Sequence, residues 1–174
     1  MQEELRCYTF SDFMLSSIQQ GIQSGHAAVE LFNKYLIAEG WQNGYAEVVQ
    51  DWAANHKTMV CLNGGTYADV CDWLNFFENG LVDHENDFPF VGFEEEEAQG
   101  GNLTSVAVIL PERIFEGAKA LREHKWNDSY VLVYDHLLKE TRITFDAKTA
   151  PLTLTYNEWE RELMERLSRA PLAR

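Results

Sequence analysis

Hydrophobic and polar positions follow strand and helix periodicities in turn along the first two thirds of the chain. Short runs rich in β-branched and aromatic residues predict strands, and longer stretches with apolar residues at helical spacing predict helices. The predicted strands are 5–10, 58–62, 88–93 and 103–110. The predicted helices are 17–40, 45–54, 67–78 and 111–124. This mixture predicts an α/β fold with one mixed sheet and helices packed against it.

The first predicted helix begins after Ser16 or Ser17, and Gln20 stands three residues after Ser17, the spacing of a capping box. We expect its buried face to consist of the apolar residues at helical spacing, namely Ile18, Ile22, Val29, Phe32 and Leu36. The third helix is expected to end at Asn79-Gly80, because glycine commonly follows a helix C-terminus.

A polar stripe lies beside this apolar face of the first helix. It consists of residues at i, i+4, i+7 and i+11, namely Gln19, Gln23, His26 and Glu30. A histidine can move protons near neutral pH, and a neighbouring carboxylate can orient it. The stripe is therefore either a catalytic or binding face, or a solvated helix face with His26 packed under a loop. His26 and Glu30 alone are too small a set to predict a metal site.

Two glycines flank the polar stripe. Glycine costs about 1 kcal/mol relative to alanine inside a helix. Gly21 and Gly25 therefore indicate that another backbone or a ligand approaches this helix closely.

The last third of the chain has a different pattern. Short alternating runs predict strands at 130–134, 142–145 and 152–156, and Asn157-x-x-Glu160 predicts the start of an amphipathic helix that reaches residue 169. We therefore divide the chain into an α/β domain, residues 1–126, and a C-terminal α+β extension, residues 127–174. The extension is a small subdomain or an oligomerisation element, so a homodimer is among the expected assemblies.

The formal net charge of −14 is unevenly distributed. Residues 1–112 carry three bases against 18 acids, whereas residues 113–174 carry 11 bases against 10 acids. Nucleic-acid binding depends on bases that neutralise phosphates, so we expect the first two thirds to repel RNA and DNA. Two interpretations remain open. The acidic surface keeps the protein soluble, or it attracts basic partners or imitates a nucleic-acid backbone.

The three cysteines have no C-x-x-C spacing, and free thiols in a reducing compartment are the simplest expectation. The first residues, Met1–Glu4, are polar and acidic, and no apolar run approaches the roughly 18–20 residues that span a bilayer. We therefore expect a cytoplasmic protein with no membrane partner. Phosphate-binding glycine loops, H-E-x-x-H and G-x-S-x-G are absent from the sequence, and no cofactor or metal is predicted.

Two segments resemble the type II peptidyl-tRNA hydrolases. Residues Ile18–Ala27 resemble that family's first-helix signature, roughly Gly-Lys-Ile-Ala-Ala-Gln-x-x-His-Ala, with matches at Gln23, His26 and Ala27. Residues Thr104–Pro111 look like the family's last strand, Thr-x-x-Ala-Ile-Gly-Pro. The resemblance covers about residues 4–125 and implies a four-stranded mixed sheet flanked by helices. It also implies hydrolysis of the ester that joins a peptide to tRNA.

The resemblance also suggests which residues form the site. The family's lysine aligns with Gln19, and its hydroxyl position falls at Thr104 or Ser105. Its catalytic aspartate aligns with no aspartate, and the nearest carboxylates are Glu94 and Glu95 of the run Glu94–Glu97. In a divergent hydrolase, His26 oriented by Gln23 and helped by Glu94 would position water, and Thr104 would hydrogen-bond the substrate. The candidate substrate-binding residues are Gln19, Glu30, Glu95 and Ser105.

Three functions follow from these observations. The first is hydrolysis of a small ester or amide that is less anionic than tRNA. The second is non-catalytic: an acidic binding module for a small ligand or a basic protein, of the kind by which phage or mobile-element proteins occupy nucleic-acid sites. The third is true peptidyl-tRNA hydrolysis, which the negative charge disfavours.

Overall fold

The computed structural model describes residues 3–38, 44–82, 88–95, 100–123, 130–145 and 152–173. The chain forms two compact units. The first consists of Met1–Pro111 with Ala170–Arg174, and the second of Glu112–Arg169. The sequence analysis set its boundary at residue 126, so the helix after Pro111 groups with the second unit instead of the first.

The first unit contains the expected mixed four-stranded sheet. Its strands are β1 (Leu5–Asp12), β2 (Thr58–Gly65), β3 (Phe90–Glu95) and β4 (Asn102–Pro111), in the spatial order β2-β1-β4-β3. β1 pairs with β2 in parallel and with β4 in antiparallel orientation, and β3 pairs with β4 in antiparallel orientation. The predicted α/β class with a four-stranded mixed sheet is confirmed.

The helices of this unit are α1 (Ser17–Phe32), α2 (Gly44–Asp51) and α3 (Tyr67–Val82). α1 and α2 continue as π-helical turns, Asn33–Ala38 and Trp52–His56. Of all the helices in the described ranges, none combines the length and the apolarity needed to cross a bilayer.

The start of α1 is confirmed at Ser16, one of the two caps that the sequence left open, but its capping-box partner is Gln19 and not Gln20. The predicted end of α3 is wrong. α3 continues through Gly80 to Val82. Gly80 does not adopt a positive φ, the conformation by which glycine ends a helix, and it is buried inside α3 instead.

Side chains on the two faces of the sheet meet different helices. Cys7 of β1, Ile109 of β4 and Leu31 of α1 are buried in one hydrophobic cluster. Residues of α2 also belong to this cluster. On the opposite face, Phe10 of β1 stacks on Trp73 of α3 with ring centroids 3.9 Å apart. Because successive residues of a strand point to opposite faces, α1 and α3 cover the two sides and the unit has three layers.

α1 packs on the sheet through small and polar residues, which corrects the predicted buried stripe. Ile18, Ile22 and Val29 are exposed, whereas Phe32 and Leu36, the last two residues of the predicted stripe, do pack against the core. The buried residues of the helix are Gln20, Gln23, Ser24, Ala27, Ala28 and Leu31. The facing strands carry hydroxyls that pair with this side of the helix, and a polar group can be buried at little cost only when it is hydrogen-bonded.

Those hydroxyls form a buried chain between α1 and the sheet. Thr9 of β1 donates to Ser24 at 2.8 Å, and the Ser11 oxygen lies 3.1 Å from that of Ser24 and 3.0 Å from that of Ser105 in β4. All four residues are buried. Each of these hydroxyls therefore has a hydrogen-bonding partner. The bonded hydroxyls fix the rotation of α1 about its axis, so that its apolar face is turned away from the sheet.

The two edges of the sheet are treated differently. The end of the chain lies along β2, where the Asn63 N–H donates to Pro171 at 2.9 Å and the Ala173 N–H donates to Cys61 at 3.0 Å. At the other edge, no strand among the described residues pairs with the outer side of β3. β3 therefore presents backbone groups beside α1.

The second unit is a small helix-and-sheet element. Its strands β5 (Tyr130–Asp135), β6 (Glu140–Phe145) and β7 (Leu152–Tyr156) form an antiparallel sheet, accompanied by α4 (Glu112–Glu123) and α5 (Glu158–Arg169). The predicted capping box is confirmed, since the Asn157 N–H donates to Glu160 at 3.1 Å and the Glu160 N–H donates back at 2.7 Å. Arg113 of α4 also pairs with Glu160.

Candidate functional site

Three of the residues predicted for the site meet where α1 lies against β3 and β4. The Thr104 hydroxyl donates to Oε1 of Gln23 at 3.0 Å, and Nε2 of Gln23 donates to the Glu95 carboxylate at 3.1 Å. Gln23 is only 7% exposed and Thr104 only 1%. One buried amide thus connects a hydroxyl of β4 to a carboxylate of β3, and both ends of the amide are engaged.

A β-bulge in β4 makes this arrangement feasible. Phe93 pairs with Ser105 and Glu94 pairs with Leu103, so Thr104 is an extra residue in its strand. Bulges of this kind redirect a side chain. Here the hydroxyls of both Thr104 and Ser105 bond on the α1 side of the sheet, to Gln23 and Ser11 respectively.

Because of the bulge, the hydroxyls of Thr104 and Ser105 also lie in different surroundings. Ser105 is fully buried in the hydroxyl chain with Ser11. Thr104 instead belongs to the network that ends at Glu95. Ser105, predicted as a substrate-binding residue, therefore lies in the interior of the α1 interface and not at the surface.

His26 is exposed one turn after Gln23 on α1. Its ring lies edge-on to Phe93 of β3, with centroids 4.9 Å apart and an interplanar angle of 63°. The contact with Phe93 holds the imidazole over β3 while leaving it open to solvent. His26 is thus exposed to solvent and held against β3 by its contact with Phe93.

An open groove of about 590 Å³ runs between the end of α1 and β3. It is lined by Glu30, Asn33, Lys34, Ala38, Val91, Gly92, Phe93, Glu94 and Glu95. Glu95 belongs both to the groove and to the Gln23 network, and Phe93 connects the groove to His26. The structure therefore places Glu30, Glu95 and the His26 contact along one surface.

The side chain of Gln19 is used to cap the N-terminus of α1. Its Oε1 accepts hydrogen bonds from the Ser16 N–H at 3.0 Å and the Ser16 hydroxyl at 2.9 Å, and its own N–H donates to Ser16 at 3.3 Å. These bonds form the capping box of α1. The side chain predicted to contact substrate is thus occupied in starting the helix.

Glu94 lines the groove, and its charge also reaches Tyr67 of α3, on the other face of the sheet. The pKa of Tyr67 on α3 is raised chiefly by its hydrogen bond to Cys71, and the negative charge of Glu94 adds to the increase. Of the two carboxylates that the resemblance left open, Glu95 is the one that reaches Gln23. The next two residues of the acidic run, Glu96 and Glu97, lie outside the described residues.

Two residues of this surface were missed by sequence reasoning. Phe93 was treated as part of a strand, and Lys34 was counted only as a charge. Lys34 donates to the Phe90 carbonyl at 3.3 Å, and its ammonium lies 5.0 Å from the centre of the Phe90 ring. Its position four residues after Glu30, on the same side of the helix, was the signal that could have identified it.

The chemistry available at this surface is hydrolytic or ligand-binding. Carboxylates, an amide and a solvent-exposed imidazole can bind and activate water. Within the described ranges, no cluster of three or more His, Cys, Asp or Glu side chains could hold a metal ion. Comparison with protein-family models and with curated proteins yields no match to this chain.

Proposed function

We propose that this protein is a hydrolase of esters or amides, related in fold to the type II peptidyl-tRNA hydrolases. The observation that carries the proposal is the Gln23 amide, bonded to both Thr104 and Glu95 beside the exposed ring of His26. A preorganised amide next to a carboxylate and an imidazole is suited to holding a carbonyl group and activating a water molecule.

Each residue has a distinct role in this proposal. Nε2 of Gln23 carries two protons, and one is used by Glu95. The second N–H of this amide can donate a hydrogen bond to the carbonyl oxygen of the substrate. His26 takes the proton from the water that attacks the carbonyl carbon, and it returns that proton to the leaving alcohol or amine when the ester or amide bond breaks. Glu95 fixes the orientation of the amide. General-base assistance of this type contributes about 10²–10⁴-fold to the rate.

The charge of the chain limits the substrate. Residues 58–112, which include β3 and β4, contain no lysine or arginine. A tRNA would gain little from phosphate neutralisation there. We therefore propose a substrate less anionic than tRNA, with peptidyl-tRNA as a comparison substrate in the same assay.

The test is a hydrolysis assay with p-nitrophenyl esters, aminoacyl amides and a peptidyl-tRNA. His26→Ala should reduce turnover by about 10²–10⁴-fold without lowering the melting temperature, because the ring is exposed. His136→Ala is a matched control, since His136 is also exposed and its ring also lies edge-on to an aromatic ring, that of Tyr134. Equal turnover of the two variants would reject the proposal, and preference for peptidyl-tRNA would reject the substrate class.

A second candidate is supported by the outer edge of β3. The Tyr35 hydroxyl bonds to both backbone groups of Phe90: it donates to the carbonyl at 2.9 Å and accepts from the N–H at 3.2 Å. Since alternate residues of an antiparallel strand direct their backbone groups to the same side, Gly92 is the next outward residue. Among the described residues, no strand pairs with this side of β3. An extended peptide could add there as a strand.

The groove beside this edge carries Glu30 and Glu95, so the peptide would be basic. The non-catalytic proposal is thus a module that binds an extended lysine- or arginine-rich segment. Binding of a labelled basic peptide should weaken steeply with salt and in the Glu95→Gln variant, but not in Glu47→Gln, a control on the exposed side of α2. Retention of binding in His26→Ala, with no turnover of any substrate by the wild type, would favour this function over hydrolysis.

A further inference from the structure

The groove between α1 and β3 contains one fixed positive charge, the ammonium group of Lys34. This group donates to the Phe90 carbonyl at 3.3 Å, and it lies 4.9 Å from the centre of the Tyr35 ring and 5.0 Å from that of the Phe90 ring. Cation–π contacts attract an ammonium without neutralising its charge. A lysine ammonium has three N–H donors, so donors remain for a further acceptor.

The glutamates of the groove do not neutralise this charge. Glu30 accepts from the Asn33 amide at 2.9 Å, and Glu95 accepts from the Gln23 amide at 3.1 Å. Within the described part of the chain, no carboxylate forms an ion pair with Lys34. The lysine is also half-buried, so the fold has already removed part of the water around its stem and head. An anion that reaches the ammonium would therefore form a charge-assisted hydrogen bond.

Lys34 lies along the same strand as the proposed reaction centre. It belongs to the π-helical turn Asn33–Ala38, a type of turn that is frequent at functional sites. Lys34 contacts Phe90 of β3, whereas the His26 ring contacts Phe93. Three residues of an extended strand span about 10 Å. The groove therefore connects the imidazole to a fixed cation at that separation.

We infer that Lys34 selects the substrate, which is an ester or amide whose acyl chain ends in a carboxylate. The carboxylate binds the Lys34 ammonium while the scissile carbonyl lies at Gln23 and His26. Ala38 and Val91 line the groove and provide apolar contacts for the chain between these two groups. This inference rests on the proposed hydrolase function and names the substrate class of the same site.

The charges of the groove limit the substrate to one anionic group. Lys34 is the only lysine or arginine among residues 7–56. Glu30, Glu94 and Glu95 line the groove around it. A single carboxylate is matched by the ammonium, but a second anionic group would meet these glutamates. Like-charge repulsion of this kind excludes polyanions such as a nucleic acid and thereby gives specificity.

The kinetic test compares two p-nitrophenyl esters that differ only at the end of the acyl chain. p-Nitrophenyl hydrogen suberate ends in a free carboxylate, and p-nitrophenyl methyl suberate ends in a methyl ester. The wild type should have a KM about tenfold lower for the free carboxylate, the effect of one hydrogen bond to a charged group. Its kcat should be similar for the two esters, because a contact remote from the reacting atoms stabilises the bound substrate and the transition state equally.

Substitution of Lys34 should remove this preference. Lys34→Met keeps the apolar stem and removes the charge, so the KM of the free carboxylate should rise about tenfold while kcat and the kinetics of the methyl ester stay the same. Lys34→Arg keeps the charge and should keep the preference. Lys119→Met is the matched control, because Lys119 is also a half-buried helix lysine but lies on α4. Equal KM values for the two esters in the wild type, or a preference that survives in Lys34→Met, would overturn the inference.

A binding measurement separates this inference from the hydrolase proposal. Monomethyl suberate is titrated into the protein, and the backbone amide shifts of Phe90 and Phe93 are followed by NMR. The shifts should move in the wild type, not in Lys34→Met, and less at high salt. Binding that depends on Lys34, with no turnover of any ester, would reject the hydrolase and retain Lys34 as a carboxylate-binding residue. Turnover without any effect of the carboxylate on KM or on the shifts would reject the inference and retain the hydrolase.

Discussion

Thr104 donates its hydroxyl proton to the side-chain carbonyl of Gln23 at 3.0 Å, which joins the bulge of β4 to α1 in the interior of the fold. Both side chains are at least nine-tenths buried. The bond fixes the Gln23 amide in one orientation, with its nitrogen toward Glu95. The orientation of the Gln23 amide is therefore set by its burial and by its two partners, since Thr104 is a donor and Glu95 is an acceptor.

Replacing Gln23 with leucine should destabilise the fold. Gln23→Leu removes the closer acceptor of the buried Thr104 hydroxyl, which keeps its 3.3 Å bond to the Phe93 carbonyl, and it also removes the donor to Glu95. Each lost hydrogen bond contributes about 0.5–1.5 kcal/mol to the free energy of unfolding. The loss is measured as a decrease in the free energy of unfolding in urea. Gln50→Leu, on the exposed side of α2, should change it by less than about 0.5 kcal/mol. Equal stability of Gln23→Leu and the wild type would contradict the network.

The hydroxyl chain should show strong coupling in a double-mutant cycle. Thr9 donates to Ser24 at 2.8 Å, and both are fully buried. Ser24→Ala should reduce the free energy of unfolding by about 1–3 kcal/mol, because it removes the acceptor of the buried Thr9 hydroxyl. Thr9→Val should reduce it by about 0.5–1.5 kcal/mol, because Ser24 loses one hydrogen bond but keeps Ser11 as a partner. The double variant should lose less than the sum, since both partners are then removed. Simple additivity in urea unfolding would show that the two hydroxyls do not interact.

Cys7 should make the protein sensitive to alkaline pH. Burial, with a smaller effect of the nearby Cys61 thiol, raises the pKa of Cys7 from 9.0 to about 12. The unfolded chain ionises this thiol above its ordinary pKa, but the folded chain resists ionisation until about 12. The stabilisation is therefore present below pH 9 and is lost as the pH rises through this window, at about 1.4 kcal/mol per pH unit.

The contribution of Cys7 is isolated by comparing the wild type with Cys7→Ala. The difference between their unfolding free energies should shrink as the pH rises from 9.0 toward 12. In the native state at neutral pH, iodoacetamide should modify Cys61 and Cys71, which are partly exposed, before Cys7. Rapid native-state modification of Cys7 would contradict its burial.

Removing residues 170–174 should expose the outer edge of β2. The tail accepts from the Asn63 N–H at 2.9 Å and donates to the Cys61 carbonyl at 3.0 Å. An uncovered strand edge is a template for pairing with other chains. The truncated chain should have a lower melting temperature and higher light scattering on warming. Unchanged scattering would mean that the tail does not protect this edge.

The accuracy of sequence reasoning differed between elements for physical reasons. The strands and the cap at Asn157 were predicted closely, because alternation and capping are local properties of a few neighbouring residues. Thr104 and Gln23 were identified by resemblance, but their bond requires a bulge that adds one residue to β4. No local pattern marks that bulge, since it results from how β3 and β4 align.

Periodicity and composition by themselves determined the α/β class, one mixed sheet and the acidity of the first two thirds, because they act along the chain. The four-stranded form of that sheet was implied by the family resemblance. Tertiary structure alone decided which side of α1 is buried. Apolar periodicity favoured Ile18, Ile22 and Val29, yet Thr9, Ser11 and Ser105 on the facing strands require hydroxyl and amide partners. Satisfying those buried groups took precedence over burying three aliphatic side chains. That orientation places Gln23 beside Glu95 and leaves the apolar side of α1 uncovered.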